Sequence, residues 1–276
     1  MMGTSDAADA SAARPGDEAG ALVTYELRGA VAWIALNRPS KRNAINDRLL
    51  DALGAAIARA AGEARAVVLH GNGPCFSAGL DLAEHRARSA EEVFHHSRGW
   101  HATFAAVRRG RIPVVAALHG ATVGGGLELA AACHLRVADS TAFFALPEGQ
   151  RGIYVGGGAS VHVARLLGAS RMADMMLTGR VLDADAAERG GLANYVVPAG
   201  EAPAKAGELA ERMAGMAPLT VLGVLHALPR IQDMSEEDGL FVESLVAALA
   251  QTGPEAAARL ADFVEKRGAK VAGPGA

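Results

Sequence analysis

Three short stretches carry residue types suited to acid–base and anion chemistry. Phe76-Ser77-Ala78-Gly79-Leu80-Asp81 puts small residues just after a buried-type apolar run. There a ligand can approach the backbone and receive a main-chain N–H. Gly124-Gly125-Gly126-Leu127-Glu128 opens a helical pattern. A helix start leaves N–H groups unpaired and carries partial positive charge, which suits a developing anion. Glu128 stands in the same first turn as Gly125 and can face the same space. The third stretch is Leu146-Pro147-Glu148, followed by Gly156-Gly157-Gly158 at another helix start.

Two carboxylates in unlike surroundings are the raw material of general acid–base catalysis. The helix start should favour the ionised form of Glu128. An apolar setting pushes a carboxyl toward its neutral form, and Phe143, Phe144 and Leu146 flank Glu148. The expected roles are base for Glu128 and acid for Glu148. Each stretch also has a plain structural reading, because glycine triplets are common in loops and a first-turn Glu often caps its helix. A dinucleotide site fails on detail. Gly124-Gly125-Gly126 lacks the spaced-glycine fingerprint, and no phosphate-binding lysine follows it. No histidine pair at helical spacing supports zinc, so no metal is expected. Cys75, beside the first stretch, is expected to be a small buried apolar residue.

The elements that must position these residues follow from hydrophobic pattern. Leu22–Leu27 and Val31–Leu36 read as strands joined by Arg28-Gly29-Ala30. Asn46–Ala61 reads as a helix, with Leu49, Leu50, Leu53, Ile57 and Ala60 on one face and Asn46 as N-cap. Ala66–His70 and Val114–Leu118 are unalternating apolar runs, expected of strands buried on both faces. Residues 89–108 read as a helix rich in aromatics and histidine. Phe94, Trp100 and Phe104 should pack in the core, with His95, His96 and His101 facing solvent. A helix follows Val123–Gly126 as far as Cys133. His134–Ala138 and Phe143–Leu146 are extended, and Gly156–Leu167 leads into a helix. Helices dominate from Arg171, apart from an apolar run at Ala193–Val197.

Strands alternate with helices and give way to a helical last third, so the fold class is α/β. The chain has 276 residues, half of them hydrophobic and 21% charged, enough to bury a sizeable core and too apolar for wholesale disorder. A net charge of −3 argues against a dedicated nucleic-acid binder. Two cysteines exclude a disulfide scaffold and fit a reducing compartment. No apolar stretch reaches the length of a membrane span, and no targeting segment is visible, so a cytoplasmic setting is expected. The expected organisation is a disordered tail over 1–20, a core over 21–205, a helical region over 206–268 and a flexible tail over 269–276.

Four segments in order resemble the enoyl-CoA hydratase/isomerase family of the crotonase superfamily. They are Leu36-Asn37-Arg38-Pro39 with Arg42-Asn43-Ala44, then Phe76–Leu82, then Gly124–Ala130, then Leu146-Pro147-Glu148. The likeness spans roughly residues 22 to 268. It implies a spiral of ββα units with a helical C-terminal trimerisation region, assembled as a trimer or a dimer of trimers. It implies an acyl-CoA thioester substrate and no cofactor beyond the coenzyme A that the substrate carries. By position, the N–H groups of Leu80 and Gly125 would form an oxyanion hole, and that of Gly156 would help hold a water. Both glutamates are present, which favours hydration of a trans-2-enoyl-CoA by a carbon–oxygen lyase. CoA contacts would come from Arg42, Ala44, Ala78, Asp81 and Leu82, with Phe263 and Lys266 reaching a neighbouring subunit's CoA. Arg38, Lys41 and Arg42 could meet phosphates.

This sequence departs from the family pattern at His119 before Gly120 and at Tyr154-Val155 before Gly156. Segment 83–105 corresponds to the family's variable acyl-pocket wall, and its aromatics admit an aromatic or polar acyl group. The rival readings are a Δ3-Δ2-enoyl-CoA isomerase using Glu148, an aromatic enoyl-CoA hydratase–lyase, and an RNA-binding protein on the same fold.

Overall fold

Alternate residues of the central strands belong to opposite faces, and both faces are apolar. In the computed structural model, which describes residues 21–84 and 87–265, the strands are β1 (Val23–Arg28), β2 (Val31–Leu36), β3 (Ala66–Gly71), β4 (Val114–Leu118), β5 (Ala121–Val123), β6 (Leu135–Asp139), β7 (Phe143–Ala145), β8 (Leu182–Asp183) and β9 (Tyr195–Val197). Both predicted tails and Lys266 lie outside the described residues. On β3, Val67 and Leu69 pack into one apolar cluster, while Ala66 and Val68 pack into another. Strand β4 divides the same way, with Ala116 and Leu118 on one side and Val115 and Ala117 on the other. This is why neither strand alternates in polarity.

The main sheet runs β1-β2-β3-β4-β6-β9. Strand β1 pairs antiparallel with β2 through the tight connection at Gly29, and the other neighbours pair in parallel. A second sheet, β5-β7-β8, lies beside the first in the chain path. Its strand β5 follows β4 directly, and β7 follows β6. Ser77, which follows β3, extends it through a parallel bridge to Thr122. Each turn of chain therefore supplies a main strand, a short second strand and then a helix. These are the ββα units of the expected spiral. The three-residue β5 was hidden in the sequence because Ala121–Val123 runs straight into the glycine triplet.

The helices are α1 (Asp47–Glu63), α2 (Ala90–Arg108), α3 (Gly125–Ala132), α4 (Ala159–Leu167), α5 (Ala169–Thr178), α6 (Ala184–Arg189), α7 (Ala202–Ala214), α8 (Pro218–Leu222), α9 (Leu228–Ile231), α10 (Glu236–Gln251) and α11 (Pro254–Val264). Asn46 caps α1 by accepting the Leu49 N–H at 2.9 Å. Ser89 and Glu92 form a reciprocal capping box that sets the start of α2. The first apolar cluster lies under α1, α2, α3 and α4. The second is covered by α7, through Ala202, Ala206, Leu209 and Ala210. Helix α7 spans residue 205 and seals one face of the main sheet. Phe94 corrects the expected core: it is 61% exposed on α2, while Trp100 and Phe104 are buried.

Candidate active site

Glu128 reaches its place from the first turn of α3. Its Oε1 accepts the N–H of Gly157 at 2.8 Å and that of Ala159 at 3.0 Å. Those donors belong to the start of α4, so the helix start that receives the Glu128 carboxyl is the next one along the chain. Glu148 opens a 3-10 turn, Gly149–Arg151, and is 7% exposed. Its Oε2 is buried with no hydrogen-bond partner among the described residues. Gly124 makes the approach of the two loops possible. Its φ is +54°, and a Cβ there would stand 2.6 Å from Glu148 Oε1. Only glycine accepts both that conformation and that contact.

The main-chain donors lie alongside. The loop after β3 is pinned to the segment before α1, with Ile45 N–H donating to Gly79 O and Asp81 N–H to Ile45 O. Leu80 sits between these bonds and lines the cavity. Gly79, at φ +90°, lets this loop lie against the start of α3: a Cβ there would be 2.6 Å from Val123 O and 3.2 Å from Gly125 N. Trp100 presses its six-membered ring edge against Gly125, where a Cβ would meet Cζ3 at 2.5 Å.

One cavity of about 190 Å³ brings these groups together. Glu128, Glu148, Leu80, Gly125, Gly156, Ala78 and Leu82 all line it. A neighbouring groove of about 290 Å³ is lined by Arg42, Ala44 and Asp81, and it shares Ala78, Leu80, Leu82 and Arg151 with the cavity. Thus every sequence-predicted site residue within the described chain lines one space or the other, except Arg38 and Phe263. Phe263 is 65% exposed on α11 and lines neither.

Three expectations need correction. Arg38 is not available to a phosphate. It is 8% exposed, pairs with Asp81 Oδ2 at 2.9 Å and donates to Ala44 O at 2.7 Å. The Asp81 carboxylate is thereby committed too, because its other oxygen accepts the Ala83 N–H at 3.1 Å. His96 does not simply face solvent: its side chain is 21% exposed, lines the cavity and lies 2.8 Å from Asp47 Oδ1. His95 does face solvent.

The third correction concerns charge. Burial pushes the Glu128 carboxyl up to about 7, although the Ala159 and Gly157 N–H groups pull it down and the neighbouring Glu148 pushes further up. A helix start at this depth does not hold the group ionised against desolvation. Glu148 is raised as expected, chiefly by burial.

The Glu128 shift has a stability consequence. Its folded carboxyl releases its proton near pH 7, against an ordinary 4.5. Between those values the folded chain binds more protons than the unfolded chain, so this group's contribution to stability falls as pH rises through that window. Glu128→Gln is expected to remove that slope. Urea midpoints should show the variant gaining on the native chain between about pH 5 and about pH 8. Parallel midpoints at both pH values would contradict the assignment.

Sequence reasoning missed Ser97, Arg88 and Arg151. Ser97 Oγ donates to Gly156 O at 2.6 Å and so ties α2 to the loop before α4. Its signal was present: the Ser89–Glu92 capping box sets the phase of α2, which puts residues 93, 96, 97, 100 and 104 along one face. Arg88 lines the cavity from an irregular segment and Arg151 from the short 3-10 turn, where no periodicity points inward. His119, the first departure from the family pattern, lies 2.9 Å from Gly73 O. Tyr154 is 69% exposed at the cavity rim. Both cysteines are unpaired and buried, and burial pushes their thiols up. Among the described residues no three His, Cys, Asp or Glu side chains converge as a metal site. No single helix among them is long and apolar enough to cross a membrane.

A spiral of ββα units thus brings two glutamates and two helix-start loops to one cavity. The sequence pattern of the enoyl-CoA hydratase/isomerase family matches residues 26–273, and the chain belongs to that family. A Rhodopseudomonas palustris structure described as an enoyl-CoA hydratase superposes with a TM-score of 0.87 at 50% identity, covering 89% of this chain and 95% of that one. The Bacillus anthracis enoyl-CoA hydratase structure gives 0.84 at 30% identity, covering 90% and 98%. The mitochondrial protein described as enoyl-CoA hydratase 2 in Arabidopsis thaliana is 35% identical over 237 residues, or 85% of this chain and 79% of that protein.

Proposed function

We propose that this chain adds water across the double bond of a trans-2-enoyl-CoA to give a 3-hydroxyacyl-CoA. The observation that carries the reading is the unequal hydrogen bonding of two carboxyls in one cavity. Glu128 has one oxygen fixed by two N–H donors, and its carboxyl lines the cavity. Glu148 is buried and its Oε2 lacks a partner; burial raises its carboxyl, as it does that of Glu128. Glu128 takes a proton from water as the oxygen attacks C3. Charge moves through C2 onto the thioester oxygen, where the N–H groups of Leu80 and Gly125 receive it. Glu148 delivers a proton to C2, and exchange with solvent resets both carboxyls. The N–H of Gly156 helps hold the attacking water. The adjoining groove, with Lys41 and Arg42 exposed on its rim, is assigned to coenzyme A. As written, the reaction uses no metal or redox cofactor. Loss of enone absorbance from a panel of short-alkyl, long-alkyl and aryl enoyl-CoA esters tests this. Turnover of any member supports hydration, and no turnover despite ester binding opposes it.

The reading includes assembly of copies of this chain as a trimer or a pair of trimers. Helix α10 buries only Gly239 within the chain. Phe241, Leu245 and Leu249 form a stripe along it, exposed by 65%, 51% and 59%. Leu245→Glu is therefore expected to convert the assembly to monomer in light scattering. An unchanged mass would remove this stripe from the interface.

A further inference from the structure

The α2 side of the cavity holds more hydrogen-bond donors than acceptors. Arg88, just before α2, has a side chain only 14% exposed and lines the cavity. Among the described residues the one polar contact of its guanidinium is with Asp47 Oδ2, at 3.5 Å. Asp47 is itself 63% exposed, and its other oxygen is 2.8 Å from His96 Nε2. A carboxylate at that distance requires the proton on Nε2. The indole N–H of Trp100, 3.3 Å from the same nitrogen, then faces an N–H and finds no lone pair there. The Ser97 hydroxyl is already spent on Gly156 O. One exposed carboxylate thus serves an arginine and a histidine. Among the other described acids nearby, Glu92 accepts the Ser89 N–H and Glu91, 85% exposed, lies 4.0 Å from His95.

A largely buried guanidinium with most of its donors unspent calls for an acceptor. Its planar fork fits a carboxylate through two parallel hydrogen bonds. The surrounding wall is apolar, with Leu82, Val93, Ile153 and Tyr154. An occupant that suits both features has an apolar middle and an anionic end. We propose that the preferred substrate of this chain is an enoyl-CoA whose acyl group ends in a carboxylate, and that Arg88 holds that carboxylate. This rests on the hydratase reading for the reaction and adds the class of acyl group.

The test uses matched pairs of esters that differ only at the acyl terminus. Hydration of trans-2-hexenoyl-CoA is compared with that of its terminal carboxy analogue, and calorimetry compares binding of hexanoyl-CoA with adipyl-CoA. The native chain should favour the carboxy-ended member by about tenfold or more in kcat/KM and in affinity. Arg88→Gln should bring that ratio near one. Arg88→Lys, which keeps the charge and loses the fork, should fall between. A native chain that handles the plain ester equally well, or an Arg88→Gln variant that weakens both members alike, overturns the proposal. Preferential binding of adipyl-CoA without hydration of either enoyl ester would keep Arg88 and remove the hydratase reading.

Discussion

Glu148→Gln is expected to lower kcat for hydration by about a thousandfold while leaving the affinity for a saturated acyl-CoA within a few fold. The size of the side chain is kept, so the cavity keeps its shape. What is lost is the proton for C2. The native carboxyl suits that task because burial raises it and its Oε2 has no partner. An amide in the same place cannot donate a proton that leaves with the product. Single-turnover kinetics beside calorimetry separates the two effects. Full retained turnover would remove Glu148 from the chemistry. A parallel loss of affinity would make it a binding residue.

Gly125→Pro should lower kcat by about a hundred- to a thousandfold, through loss of one N–H donor to the thioester oxygen. Position 125 is the first residue of α3, where a helix tolerates proline because that N–H has no partner within the helix. Proline also adds a Cβ that meets the Trp100 ring at 2.5 Å. Gly125→Ala adds the same Cβ and keeps the N–H, so it is the control. The alanine variant should lose some activity through displacement of Trp100, and the proline variant should lose far more. Equal losses would place the oxyanion donor elsewhere. Circular dichroism and oligomeric state establish that both variants fold.

The architecture was largely legible because the strands obey simple rules. β2 and β4 fall on the expected residues, since an unbroken apolar run between turn residues has few alternatives. The Asn46 cap was equally plain. The motif residues of the site were visible as glycine clusters beside acids, and the cavity gathers them. What escaped lies in long-range packing. Arg38 looked like a loop cation, but its partner Asp81 is 43 positions away and no local pattern joins them. The direction of the Glu128 shift depended on burial supplied by other segments, including the start of α4. Phe94 and His96 exchanged their expected settings because composition did not set the rotation of α2 about its axis. The capping box does set it.

The central claim is that Glu128 and Glu148 add the elements of water to the enoyl thioester. Turnover of a trans-2-enoyl-CoA in oxygen-18 water mixed with deuterium oxide, read by mass spectrometry, tests it most directly. Hydration predicts a product carrying oxygen-18 at C3 and deuterium at C2, both lost together in Glu148→Gln. Deuterium incorporation with a shifted double bond and no oxygen-18 would contradict the account and establish an isomerase on the same scaffold.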